Sequence, residues 1–121
     1  CVYKIISAEN FERDLPLGVI DCDSRDMLRD RIMALREANI YEDHRYRHIL
    51  STTLIKRVEG GTIYAETGYQ VTRIMRDGSA IIFSTGCYYD RILEEGGAMR
   101  FAERLVVFDS CGIDTLLVIP L

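Results

Sequence analysis

Four long runs of strand-forming residues fill most of the chain after residue 45 and limit the folds open to it. The runs cover about residues 45–58, 62–76, 79–93 and 99–108. The turn signals between them are Gly60-Gly61, Asp77-Gly78 and Gly96-Gly97. Asp-Gly between two such runs predicts a hairpin, because a tight hairpin turn needs residues that accept a positive φ. The pattern predicts an antiparallel meander of strands much longer than the usual length of about five or six residues.

Two glycines inside these runs predict a bend in the sheet. If Asp77-Gly78 is a two-residue loop, the hairpin register follows from it. The rungs would then pair Arg76 with Ser79, Gly68 with Cys87, and Tyr69 with Gly86. Glycine inside a strand is typical of a bend or bulge, so two on neighbouring rungs predict a crease, with the Tyr69 ring covering Gly86. The alternative, two unrelated glycines, stays open at this point.

The same register predicts that the hairpin is apolar on both faces. One face would carry Tyr64, Ile74, Ile81, Phe83, Cys87, Tyr89 and Leu93, and the other Ile63, Tyr69, Val71, Met75, Ile82, Tyr88 and Ile92. An antiparallel sheet exposed to water has one polar face. Both faces therefore need cover from helices, from a partner protein, or from both. The apolar tail, residues 116–121, is likewise predicted to dock.

The region before the sheet contains one clear helix. Asp23 or Ser24 is a suitable N-cap, and Asn39 a suitable end. The apolar residues at helical spacing between them are Met27, Leu28, Ile32, Leu35 and Ala38. A short strand is predicted at residues 2–6 and an irregular connection at residues 10–19. The predicted class is α+β, with a strongly curved antiparallel or mixed sheet packed on helices.

Composition narrows the classes of function. The length of 121 residues fits a single domain, residues 1–121. A net charge of −4 and a pI of about 5.1 argue against a nucleic-acid partner. No apolar run approaches the roughly 20 residues that span a bilayer. The four cysteines lack the paired spacing of zinc or iron–sulfur sites, so we expect free, buried thiols in the reducing cytoplasm.

The polar and aromatic segment at residues 41–48 is the leading candidate site. It contains the only two histidines of the chain, His44 and His48. On a strand these would point the same way but lie roughly 13 Å apart, too far to share a metal ion. Arginine and tyrosine are enriched at interface hot spots. The candidates for a partner interface are therefore His44, Arg45, Tyr46, Arg47 and His48, and the alternative is a solvated start of a strand.

Asp90, beside Tyr88 and Tyr89, is a candidate for an acid–base carboxylate inside a curved sheet, because burial raises the pKa of a carboxyl group. The alternative is a salt bridge. The sequence contains no G-x-S-x-G motif, phosphate-binding loop or dinucleotide-binding loop. No catalytic, cofactor-binding or metal-binding residue is assigned to the chain.

Four segments resemble the beta subunits of bacterial aromatic-ring-hydroxylating dioxygenases, the Rieske non-haem iron oxygenases. The segments are C-V-Y-K-I-I-S at residues 1–7 with Glu9-Asn10, M-L-R-D-R at 27–31, Y-E-D-H-R-Y-R-H at 41–48, and V-F-D-S at 107–110 with I-D-T-L-L at 113–117. The resemblance runs nearly end to end. It is strongest toward the branch that acts on small aromatic acids such as anthranilate, salicylate or terephthalate.

The resemblance implies a cone-shaped fold like that of nuclear transport factor two and ketosteroid isomerase, with the family's N-terminal helices absent from this chain. It also implies a non-catalytic structural subunit that joins an alpha subunit, typically three of each. The alpha subunit carries a Rieske [2Fe-2S] cluster and a mononuclear Fe(II), and NAD(P)H supplies electrons through a reductase, often with a ferredoxin. This chain has no C-x-H or C-x-x-H motif to hold that cluster. The alternatives are a stand-alone cone-fold isomerase or dehydratase and a small-ligand-binding protein.

Overall fold

A computed structural model describes residues 1–38 and 44–109, and for residues 35–38 it describes the backbone alone. The described helices are α1 (Ala8–Glu12) and α2 (Arg25–Ala38). The described strands are β1 (Val2–Ser7), β2 (Ile20–Cys22), β3 (His44–Leu50), β4 (Leu54–Glu59), β5 (Thr62–Met75), β6 (Ala80–Glu95) and β7 (Ala98–Phe108). The α+β class and the dominance of long strands are as predicted.

The strands form one mixed sheet in the order β2-β1-β7-β6-β5-β3, and β4 also pairs with β5. β1 runs parallel to β7, whereas the other pairs are antiparallel. The predicted run at residues 45–58 is two strands, which pair with successive parts of β5. At the break, the Ser51 backbone N–H donates to the Gly68 carbonyl at 2.9 Å, and the Ser51 hydroxyl accepts from the Gly68 N–H at 2.9 Å.

The turn between β5 and β6 differs from the predicted two-residue loop. The Met75 N–H donates to the Ser79 carbonyl at 2.9 Å, which encloses three loop residues, and Gly78 has a φ of +86°. The Asp77 Oδ1 atom accepts from the N–H and the hydroxyl of Ser79, at 2.9 and 2.7 Å. These two bonds favour the longer loop, so the predicted Arg76–Ser79 rung is wrong.

A bulge between Val71 and Thr72 restores the predicted register further along the hairpin. Gly68 pairs with Cys87 and Tyr69 with Gly86, which confirms these two predicted rungs. A Cβ atom placed on Gly86 would lie 2.9 Å from Cε1 of Tyr69, so the tyrosine ring covers this glycine as predicted.

The core lies on one face of the sheet, which we call the inner face. Its buried cluster is Tyr3, Ile5, Ile20, Cys22, Tyr69, Val71, Phe83, Tyr88, Val106 and Phe108, with Leu28 and Tyr46 packed against it. Phe83 was predicted to share a face with Cys87 and Tyr89, and the bulge moves its side chain to the inner face instead. Ile81 moves as well, since it pairs with Arg73 and no longer shares a face with Ile74.

Two helices accompany the sheet within the described ranges. α1 overlaps the start of the segment predicted to be irregular, residues 10–19, and the Ser7 hydroxyl caps it by accepting from the Asn10 N–H at 3.2 Å. Its Phe11 ring stacks on Tyr89 at 5.0 Å, on the side of the sheet opposite the core, which we call the outer face. This helix was missed because it is a single turn, too short to show a periodic apolar pattern.

α2 confirms the predicted long helix. The Ser24 hydroxyl caps it by accepting from the Met27 N–H at 3.1 Å. Leu28 packs on the core, but Met27 and Met33 remain about half exposed, so α2 leaves apolar surface uncovered. The predicted contributions of Leu35, Ala38 and Asn39 lie outside the described side chains.

Both faces of the sheet expose apolar side chains within the described residues. On the inner face these include Ile55, Val58, Met99 and Phe101, near the turns that join β4 to β5 and β6 to β7. On the outer face they include Ile49, Leu54 and Ile82. The described part of the chain therefore leaves both faces incompletely covered. The apolar tail, residues 116–121, lies outside the described residues.

Candidate partner interface

The five predicted interface residues all lie on β3, which ends the described sheet next to β5. Side chains alternate between the two faces of a strand, so the structure divides the five residues into two groups. His44, Tyr46 and His48 pair with Met75, Arg73 and Val71 and point to the inner face, whereas Arg45 and Arg47 pair with Ile74 and Thr72 and point to the outer face.

The inner group extends the core. The Tyr46 ring lies 5.2 Å from the Phe83 ring, and the His44 ring meets Tyr46 edge-on at 4.7 Å. The guanidinium of Arg73 lies 5.2 Å from the Phe83 ring centre. Partial burial lowers the pKa of His48 below its ordinary value of 6.5, which favours the neutral ring. The His44 and Tyr46 rings stabilise the end of the sheet by packing, whereas His48 is exposed.

A metal site at the two histidines is not supported by the described residues. They contain no group of three histidine, cysteine, aspartate or glutamate side chains close enough to hold an ion. Residues 41–43, which precede His44 and include two acidic residues, lie outside the described ranges. The predicted absence of a metal site at His44 and His48 therefore stays a prediction.

The outer group belongs to a mixed basic and apolar surface that crosses three strands. Arg47 on β3 lies beside Thr72 on β5, which lies beside Ile82 on β6. Ile49 follows Arg47 on the same face. We call Arg45, Arg47, Ile49 and Ile82 the outer strip. Ile49 is 52% exposed and Ile82 is 63% exposed, so water now contacts most of both side chains.

The arginines of the outer strip differ from the other exposed arginines of the sheet. Arg57, Arg91 and Arg100 each lie within 4 Å of a carboxylate, at distances of 3.6, 3.5 and 3.7 Å. Within residues 1–38 and 44–109, Arg45 and Arg47 form no ion pair. Neither does Arg76, which lines the same shallow depression as Arg45. As far as residues 1–38 and 44–109 show, the strip therefore presents uncompensated positive charge on a chain of net charge −4.

Asp90 forms a salt bridge on the inner face. This was the alternative to the prediction that Asp90 is an acid–base carboxylate. Its side chain is 4% exposed, and its two oxygens accept from Nε and Nη2 of Arg104, each at 2.8 Å. The guanidinium of Arg104 lies 4.3 Å from the Tyr88 ring centre and 4.4 Å from that of Phe101. Burial opposes the charge of Arg104, but the hydrogen bonds and negative charge of Asp90 keep its pKa above the ordinary value. A carboxylate held at both oxygens is poorly placed to accept a proton from a substrate.

Stacked aromatic rings fill the centre of the inner face. The rings of Tyr69 and Tyr88 lie 4.6 Å apart and within 10° of parallel, and the Tyr69 hydroxyl is 3.1 Å from the Ser84 hydroxyl. Burial is the main reason that the pKa of Tyr69 rises to about 12. The arrangement is a packed aromatic core at the centre of the inner face.

The cysteines partly agree with the prediction of free, buried thiols. Cys1, Cys22 and Cys87 are free thiols, but only Cys22 is buried, whereas Cys87 is half-buried and Cys1 is exposed. The prediction of a buried thiol is wrong for Cys1, which precedes β1 and is exposed. Cys111 lies outside the described residues. Among the described helices, none is long and apolar enough to cross a membrane.

Comparison with known proteins gives a consistent family. No protein-family model matches the chain. The chain is 44% identical over 121 residues to the beta 1 subunit of the terminal oxygenase component of terephthalate 1,2-dioxygenase from Comamonas sp., covering 100% of this chain and 79% of that protein. It is 36% identical over 121 residues to the small subunit of anthranilate 1,2-dioxygenase from Burkholderia cepacia, covering 100% of this chain and 75% of that protein.

A solved structure supports the same family. The crystal structure of the beta subunit of a proposed aromatic-ring-hydroxylating dioxygenase from Novosphingobium aromaticivorans superposes with a TM-score of 0.89 at 40% identity, covering 100% of this chain and 76% of that one. This match confirms the predicted cone-shaped fold with its curved sheet. The chain therefore belongs to the family of beta subunits of aromatic-ring-hydroxylating dioxygenases.

Proposed function

We propose that this chain is a structural subunit that stabilises the alpha-subunit assembly of a dioxygenase acting on a small aromatic acid. The observation that carries the proposal is the combination of a packed core on the inner face with exposed apolar side chains on both faces of the described sheet. Surface of this kind is typical of a protein that is covered by a partner. The terephthalate and anthranilate relatives are both named for dioxygenases of aromatic carboxylates, which supports the substrate class.

In this proposal the chemistry belongs to the partner. The alpha subunit would hold the Rieske [2Fe-2S] cluster and the mononuclear iron, and electrons would come from NAD(P)H through a reductase, with or without a ferredoxin. The complex would contain three alpha and three beta subunits and act in the cytoplasm. The relative's description as part of a terminal oxygenase component supports a multi-component system.

The proposed role is to hold alpha subunits together, since Asp90, the carboxylate singled out as a candidate base, is engaged by Arg104. A stand-alone isomerase of the same fold would need an available carboxylate in the cone. The salt bridge therefore favours the structural role over that alternative.

Co-expression tests the proposal. The alpha subunit encoded in the same source cell is produced with and without this chain, and aromatic-acid hydroxylation is measured with the matching reductase. We expect a stable complex and activity only when both subunits are present. Full activity and the same assembly from the alpha subunit alone would contradict the structural role.

A further inference from the structure

The outer strip combines the two components of a specific protein contact. Its apolar part, Ile49 and Ile82, is more than half exposed on both sides of β5. Its charged part consists of Arg45 and Arg47, which lie two residues apart on β3 and point to the same face. Interface cores are apolar and rich in arginine, with polar groups around them. The strip therefore has the composition of an interface at the end of the sheet.

The charge of the strip indicates the chemistry of its partner. Arg57, Arg91 and Arg100 already have carboxylate partners at 3.6, 3.5 and 3.7 Å. Arg45 and Arg47 have none among the described residues. The planar guanidinium group matches a carboxylate in two parallel hydrogen bonds. The complement of the strip is a segment whose carboxylates lie beside aliphatic side chains.

A second copy of the chain is a poor complement. In a two-fold contact the same patch meets itself, so the arginines of two copies, four in all, would be brought into one interface that adds no carboxylate. Like charges placed opposite each other across an interface disfavour association. A nucleic acid is disfavoured as well, because the chain as a whole is acidic, with a net charge of −4.

We propose that the outer strip binds an acidic and aliphatic segment of the dioxygenase alpha subunit. The carboxylates of that segment face Arg45 and Arg47, and its aliphatic side chains contact Ile49 and Ile82. Arg76 extends the positive charge at the end of the strip, since it lines one depression with Arg45. This inference rests on the proposed function, because it names where and by what chemistry the partner is held.

The test uses the full chain and its own alpha subunit. The double variant Arg45→Glu/Arg47→Glu is compared with Arg57→Glu/Arg100→Glu, which makes the same change in net charge at arginines that are 56% and 62% exposed. Binding to immobilised alpha subunit is measured at two NaCl concentrations. We expect the strip variant to raise Kd at least tenfold and to weaken the salt dependence. We expect the control variant to change Kd less than threefold. Ile82→Ser tests the apolar part and should raise Kd without changing the salt dependence.

The outcomes distinguish a failure of the proposed function from a failure of the outer-strip assignment. If the unmodified chain does not bind the alpha subunit, the proposed function fails. If it binds, and the strip variant binds with the same Kd as the control variant, only the strip assignment is overturned. A self-associating chain whose dimer is lost in the strip variant would also overturn it, in favour of a second copy. Circular dichroism checks folding, and if the glutamate variant does not fold, Arg45→Gln/Arg47→Gln replaces it under the same criteria.

Discussion

Replacing Gly86 should disrupt the centre of the sheet, whereas the same replacement at Gly68 should be tolerated. The two glycines lie on neighbouring rungs of the β5–β6 ladder. A Cβ atom on Gly86 would overlap the Val107 carbonyl oxygen and lie 2.9 Å from the Phe108 Cα atom. These are backbone atoms of β7, so the clash is relieved only if the strands separate. A Cβ atom on Gly68 would meet the Ser51 hydroxyl at 3.2 Å, and that side chain can rotate.

The expected cost follows from these contacts. Overfilling a packed core costs typically about 1–3 kcal/mol, occasionally more. Because backbone atoms must move here, we expect Gly86→Ala to lower the free energy of unfolding by about 3 kcal/mol and Gly86→Val by more. A domain of this size has a total stability of about 5–15 kcal/mol. Gly68→Ala should cost only about 1 kcal/mol, because the Ser51 side chain can rotate and gives up an exposed hydrogen bond with the Gly68 N–H.

Urea denaturation followed by circular dichroism measures both variants against the unmodified chain, and soluble yield in co-expression with the alpha subunit gives a second readout. A loss of about 3 kcal/mol corresponds to a fall of roughly 10 °C in Tm for a domain of about this length. Equal stability of Gly86→Ala and Gly68→Ala would refute the argument that the close approach of β7 requires glycine at position 86.

Substitutions at three further positions test separate parts of the structure. Asp90→Asn leaves the half-buried Arg104 without its charge partner and should cost about 2–3 kcal/mol in urea unfolding, somewhat below the range for a fully buried pair; an unchanged midpoint would contradict a stabilising salt bridge. The pKa of Tyr69 is raised from 10.0 to about 12, so its contribution to stability is complete below pH 10 and is lost as the pH rises toward 12. The free energy of unfolding should therefore fall more steeply between pH 10 and 12 in the unmodified chain than in Tyr69→Phe, and equal slopes would reject this effect. Ser24→Ala removes the cap of α2 and should cost about 1 kcal/mol, whereas Ser24→Asp should retain most of the stability, as measured by thermal denaturation.

The positions of the long strands follow from the sequence, because alternating β-formers and glycine-containing turns are local signals. The exact pairing of strands near the turns does not follow from the sequence, since it depends on side-chain hydrogen bonds in the loop and on bulges in the strands. The side chain of Asp77 accepts two hydrogen bonds from Ser79 and selects a three-residue loop, and a bulge at Val71 then compensates. Phe83 changes face as a result.

The salt bridge of Asp90 illustrates the same limit. A regular register from the Gly96-Gly97 turn would place Glu103 opposite Asp90. A bulge between Arg91 and Ile92 shifts the pairing by one residue and brings Arg104 to that position. The parallel pairing of β1 with β7 also joins residues about one hundred positions apart, which local patterns do not encode.

The candidate interface was predicted as one segment, and its division into two groups required the paired strands. The alternation along β3 follows from strand geometry, but the identity of each face depends on the register with β5. The outer strip also includes Ile82, whose proximity to Arg47 depends on the bulge in the β5–β6 hairpin. Whether the five residues contact the alpha subunit stays a prediction.

The subunit and iron content of the native complex tests the central claim most directly. The chain is isolated from its source cell under native conditions, the mass of the complex is measured, and the separated subunits are analysed for iron. We predict a large complex in which this chain accompanies an alpha subunit and every iron atom remains with that alpha subunit. A solitary monomer that hydroxylates an aromatic acid, or iron that stays with this chain after separation, would contradict the account.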